Sequence, residues 1–248
     1  MTITQVIGLD DDTAVEVKEA LVVAKATVGI MVSDGTSAAY LYHGSRINVS
    51  AGVGDIVSFK GTKTTYNGVP EITINVASDV SVVSSGNQVS HPDAKDITSS
   101  LDNYNATTAE YITFTGDLVK SGNYYNITVA GAASRQGSIV NPVNESGFYI
   151  PGTKIENLSG HNVTVKGYFN GFSSGSRYVN LVITDITDNG ASQGGGDVTP
   201  GGGGGSEVSG NVESIDFSAQ GFENGVQYNT VKGTDATFTF GDGTNDGK

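Results

Sequence analysis

Chemistry that depends on one or two reactive side chains has few footholds in this sequence. The three histidines, His43, His91 and His161, lie far apart, so a three-histidine metal site exists only if folding gathers them. Cysteine is absent, which removes disulfides, thiolate nucleophiles and cysteine-based metal sites together. There is no Gly-rich phosphate loop, nucleophile elbow or zinc signature, and no Asp or Glu stands in a recognisable catalytic pair. Two acidic stretches suit a hard cation. Asp10-Asp11-Asp12 is one, and an acidic run near a terminus is expected to be a solvated tail. Gly241-Asp242-Gly243-Thr244-Asn245-Asp246-Gly247 is the other, because oxygen ligands at alternate positions of a Gly-containing loop fit calcium, with Asp242 and Asp246 as the weak candidates. It lacks the Glu that should follow, and a polar hairpin turn is the expected reading. The expectation is no enzyme, no cofactor and no resident metal.

Aromatic rings are the other candidate chemistry, because their faces stack on sugar rings and on bases alike. Tyr42 and Tyr66 in the first half of the chain, and Tyr124, Tyr125, Phe172, Arg177 and Tyr178 in the second, are the candidate ligand-binding residues. Charge separates the ligands they could take. Lys and Arg number 13 against 26 Asp and Glu, and residues 1–88, 89–190 and 191–248 carry −4, −3 and −6. Nucleic-acid affinity rests largely on Lys and Arg neutralising phosphates, so three separately acidic segments argue against nucleic acid and anionic membrane surfaces. A neutral glycan or a protein is the ligand that remains.

Positioning these rings falls to strands. Val, Ile, Thr and Tyr recur throughout, with 35 Gly and only 5 Pro, and all-β is the expected class. Ala14 to Lys25 alternates cleanly only at its start and admits a short helix, but a long strand fits better. Val28 to Val32 and Ala39 to His43 follow around the turn Asp34-Gly35-Thr36. Then come Ile56 to Lys60, the turn Asn67-Gly68 and one alternating run from Ile72 to Val83. The second part repeats the plan with Tyr111 to Lys120, Tyr124 to Val129, Gly137 to Val140, Val163 to Phe169 and Tyr178 to Ile186. Gly54-Asp55-Ile56-Val57-Ser58-Phe59-Lys60-Gly61 and Gly160-His161-Asn162-Val163-Thr164-Val165-Lys166-Gly167 share the reading Gly-x-x-Val-hydroxyl-apolar-Lys-Gly. Each precedes a turn and a long strand, so the repeat covers a whole hairpin. Residues 1–88 are therefore expected to form one barrel and 89–190 a second, capped by Ala94 to Leu101. A flexible Gly-rich linker is expected over 191–206, and 207–248, with few apolar positions, reads as the start of an incomplete third β-domain.

Five strands with the longest connection between the third and fourth is the order of the OB-fold, a five-stranded Greek-key barrel. The wording of some segments is more specific. Val-Thr-Val-Lys-Gly-Tyr-Phe at 163–169, Asp-Ile-Thr-Ser-Ser-Leu-Asp-Asn-Tyr at 96–104 and Ser-Gly-Asn-Tyr-Tyr-Asn-Ile-Thr-Val at 121–129 resemble the tandem OB-like modules of Bacteroidetes exported lipoproteins, over residues 13–188. Ile215-Asp216-Phe217-Ser218-Ala219-Gln220-Gly221-Phe222 looks like the opening of the β-sandwich domain that often follows them. The resemblance implies an extracellular or outer-membrane-surface location, alternatively the periplasm, and carries no ligand with it. It also makes Asp12-Thr13-Ala14 a match to the short O-glycosylation pattern of such proteins. No run approaches the roughly 18 apolar residues of a membrane span, and Met1 to Gln5 has neither a basic n-region nor an apolar h-region. Membrane attachment would need a lipid anchor that this sequence does not include.

OB barrels bind ligands on the face of strands two and three and at the loops joining strands 1 to 2 and 4 to 5, and the candidate rings map near those places. Strand alternation turns about half of such rings inward. Phe172, set among Gly and Ser in the second 4-to-5 loop, is either an exposed contact beside Arg177 and Tyr178 or a plug folded into the barrel end. The expected function is a non-enzymatic binding module for a neutral glycan or a protein. A structural spacer or accessory region of a larger exported lipoprotein is the alternative, and a nucleic-acid-binding OB protein is the third.

Overall fold

The computed structural model describes residues 1–140 and 155–192, which lie within one compact unit, Met1–Gly195. The Gly-rich linker from residue 193 onward, the third β-domain and the metal candidates Asp242 and Asp246 fall outside the described residues.

Two closed five-stranded barrels in tandem make up this all-β unit. In the first, β1 (Ala14–Ala26), β2 (Gly29–Ser33), β3 (Ala38–Tyr42), β4 (Ile56–Tyr66) and β5 (Val69–Thr73) run in the order β1-β2-β3-β5-β4, and β4 returns to pair with β1. The short strands β6 (Val80–Ser84) and β7 (Lys95–Asp96) add to the flanks, β6 on β4 and β7 on the strand that opens the second barrel. That barrel comprises β8 (Tyr111–Ser121), β9 (Tyr124–Thr128), β10 (Gln136–Ile139), β11 (His161–Ser173) and β12 (Tyr178–Ala191) in the same OB-like order, closed by β11 on β8. In both barrels the third and fifth strands pair in parallel. The long strands β4 and β11 each pair with both the first and the fifth strand of their barrel, which closes it, and β4 also carries β6.

The repeated octapeptide holds equivalent places. Gly54 and Gly160 both take a left-handed backbone, at φ 89° and 87°, which only Gly adopts cheaply. Each donates its N–H to the first strand of its barrel, at Val22 and Leu118, and each accepts an N–H from further along the chain, from Asn87 past β6 and from Ser192 past β12. At the other end of the octapeptide, Gly61 and Gly167 let the fifth strand pass close by. A methyl group on Gly167 would overlap the Val182 carbonyl, and one on Gly61 would meet the Ile72 side chain at 2.7 Å.

Two sequence expectations are corrected, and one element appears that the sequence reading did not place. The run Ile72 to Val83 is not one strand. Ile72 and Ile74 are inside the barrel, Ala77–Asp79 forms a 3-10 turn, and the chain then leaves as β6 with Val82 and Val83 exposed. Apolar alternation continues across the break, but past Val80, which still packs against the first core, it faces solvent. The acidic run is no free tail, because Lys63, itself buried, donates to Asp11 at 2.5 Å, and Thr65 donates at 2.8 Å. The hydrogen bond from Lys63 holds the Asp11 carboxyl below its ordinary range. Finally, a helix α1 (Ile3–Ile7) precedes the first barrel. Thr2 and Gln5 form a reciprocal capping box there, and Ile3 and Val6 are fully buried against the first core. The second barrel has its counterpart in the 3-10 turn Thr98–Asn103, whose Leu101 enters the second core as the Ala94 to Leu101 cap was expected to do.

The barrels are joined by an apolar seam. Ala24, Met31, Ala38 and Tyr40 on the outside of the first barrel pack with Tyr111, Tyr168 and Val182 on the outside of the second. Val69 reaches further and belongs to the second barrel's own core. No helix among the described residues is long and apolar enough to cross a membrane.

Candidate functional site

Where the tip of the β4–β5 hairpin meets the second barrel, the seam opens into a groove of about 740 Å³. The tip is a two-residue Asn67-Gly68 turn with both residues at positive φ, the geometry that suits a tight hairpin. Its Asn67 carbonyl accepts the Phe172 N–H at 2.8 Å, and Gly171 is pressed so close that a methyl group there would overlap Asn67. This latch brings Tyr66 and Asn67 of the first barrel against Asn170 and Ser173 of the second, and all four line the groove.

Four of the seven candidate ligand-binding residues are gathered here. Tyr42 closes β3, Tyr66 ends β4, and Tyr124 and Tyr178 begin β9 and β12. Tyr66 and Tyr124, one from each barrel, are 59% and 70% exposed, so their faces are open to solvent and unspent on packing. The remaining polar wall is made of carboxamides, Asn67, Asn123, Asn126, Asn170 and Asn180, with Ser121, Ser138 and Ser174. Among the described residues none that lines the groove is charged.

Asn170 and Asn180 are buried in its floor, at 6% and 7% exposure. Asn180 Oδ1 accepts from Ser173 Oγ at 3.1 Å. Among the described residues the buried side-chain atoms without a hydrogen-bond partner are Tyr40 Oη, His43 Nε2 and Ser192 Oγ, none of them in this groove.

The other three candidates are placed elsewhere. Phe172 is half-buried against the second core, its ring 4.8 Å from Phe169, with the Arg135 guanidinium 4.7 Å from its centroid. It is the plug, not an exposed contact, because the bend at Gly171 turns the ring inward. Tyr125 points into the second core, as strand alternation requires next to the outward Tyr124. Arg177 is exposed and lies 5.4 Å over the Tyr178 ring, beside the groove without lining it.

The histidines are separated. His43 Nδ1 contacts the Gly44 carbonyl at 2.8 Å and His161 Nδ1 meets Asp188 at 2.9 Å. His91 stacks on Tyr111 at 4.8 Å and reaches the Tyr168 hydroxyl at 3.1 Å, where burial lowers its pKa. Among the described residues no cluster of His, Asp and Glu could hold a metal ion. The carboxamides were missed from sequence because Asn67, Asn123 and Asn170 stand beside Gly and read as turn formers, Asn126 and Asn180 are single polar positions within strands, and nothing local shows that five of them converge. No protein-family model and no curated protein matches the chain, so its own geometry must speak for its function.

Proposed function

We propose that the chain is a non-enzymatic binding module whose inter-barrel groove takes a neutral glycan. One observation carries the reading: tyrosine faces from both barrels and uncharged carboxamides converge on a groove that no charged residue lines among those described. A sugar presents an apolar C–H face to a ring and hydroxyls that both donate and accept, and a carboxamide also does both. The groove's lining offers an anion no cation, with Arg177 beside it set over the Tyr178 ring, in a chain of net charge −13. A nucleic acid lacks the Lys and Arg that its phosphates need. The resemblance to exported Bacteroidetes lipoprotein modules supports a place at the cell surface or in the periplasm.

The test is calorimetric titration of the purified chain with a panel of neutral and acidic oligosaccharides. Neutral members are expected to bind and Tyr66→Ala to weaken them by about tenfold, within the ~1–3 kcal/mol measured for stacking on one ring. Preferred binding of acidic members, or binding indifferent to Tyr66, would overturn the reading. The spacer reading draws on the apolar seam, which holds the barrels together without any ligand; it is favoured if no panel member binds.

A further inference from the structure

Resting on the reading of the groove as a glycan site, we infer that its ligand is a chain of at least two sugar units that crosses the seam and is stacked by one ring from each barrel. The open rings stand on different barrels, Tyr66 at the end of β4 and Tyr124 at the start of β9. The two rings are not in contact with each other among the ring pairs of the described residues, so each is free to meet a separate sugar face.

Volume agrees. A hexose unit of about twelve non-hydrogen atoms takes at most the space of about twelve waters, roughly 360 Å³ at roughly 30 Å³ each. A groove of about 740 Å³ therefore has room for two units or more. A single sugar would leave one ring bare and part of the floor wet.

The floor supplies the register between units. Asn170 stands on the bend of β11 that receives the first barrel's hairpin tip, and Asn180 on β12 beside it. Both carboxamides line the groove, where the hydroxyls of a chain crossing the seam would pass. Each unit then gains its own ring, and only a chain that spans both halves meets both. Affinity must therefore rise with chain length and stop rising once the groove is filled.

The experiment is titration of the full chain with neutral β-1,4-glucan, α-1,4-glucan, β-1,4-mannan and β-1,4-xylan oligomers of one to four units. It is run on the native protein and on Tyr66→Ala and Tyr124→Ala. Both rings are largely exposed, so the variants keep the native melting temperature, which is checked first. In the series that binds, affinity is expected to rise at least about tenfold from one unit to two or three, the scale of one added stacking contact. Each substitution is expected to remove that rise and leave the single sugar's affinity within a few-fold on the intact ring. A flat length profile, or a rise abolished by only one of the two substitutions, overturns the two-ring chain while leaving a glycan site in place. Absence of binding by every series up to about 10 mM overturns the glycan reading itself, and this inference with it.

Discussion

Glu71 and Asn180 occupy the same place in the two barrels. Each pairs in parallel with the third strand, at Tyr40 and Ser138, one residue before an inward Ile72 or Leu181. Both are buried, at 6% and 7% exposure. In the first barrel the position lies beside Tyr40 of the seam, and burial pushes the Glu71 carboxyl from its ordinary 4.5 up to about 7. In the second it lines the groove, and a neutral carboxamide stands there. The duplicated template puts a polar side chain at the same outward, covered position twice. What covers it decides the outcome, a dry seam that penalises charge in one barrel and a ligand-sized opening in the other.

The comparison is broken most forcefully at the paired glycines. Gly167→Ala drives a methyl group into backbone of the fifth strand, and we expect a loss of about 3 kcal/mol or more in urea denaturation. Gly61→Ala meets the Ile72 methyl at 2.7 Å and the Thr73 carbonyl at 2.8 Å, a looser approach, and should cost somewhat less than Gly167→Ala; equal losses would show that the two close approaches are alike. Next in size is Phe172→Ala, expected to cost about 2 to 3 kcal/mol because the ring is half-buried against Phe169 and Tyr104. An unchanged melting temperature would mean that the ring is not a plug.

Glu71→Gln sharpens the comparison itself. The folded state holds this proton more tightly than the unfolded chain does. The stability it contributes is thus fully present below about pH 4.5 and is lost as pH rises from there through about 7. Substitution should flatten that part of the stability profile and raise stability at pH 8 by on the order of 2 kcal/mol, after allowance for solvent screening. An unaltered pH profile would place the titration elsewhere. The smallest effects are expected at the groove rings, where Tyr66→Ala and Tyr124→Ala should each change stability by no more than about 0.5 kcal/mol.

Strand positions were legible because alternation at Val15 and Val17, or Phe114 and Leu118, directly reports an inward face. The shared Gly-x-x-Val octapeptide showed the duplication for the same local reason. The capping box at Thr2 and Gln5 was also present in the sequence, but a helix of five residues leaves no periodicity to mark it. The groove was half legible. Tyr42, Tyr66, Tyr124 and Tyr178 stood out as rings near strand ends, yet the seam that brings them together is made by outward positions such as Met31 and Tyr40. In a single barrel those positions would face water, so nothing in one repeat announces the other.

The most direct test of the account follows tyrosine ring signals by NMR while neutral oligosaccharide is added, in a chain whose 11 tyrosines and absence of Trp keep the aromatic spectrum simple. Ring resonances of Tyr42, Tyr66, Tyr124 and Tyr178 are predicted to shift together along one binding curve, while the buried rings of Tyr104, Tyr111 and Tyr168 stay in place. Shifts confined to one barrel, or centred on rings outside the groove, would contradict a site built from both.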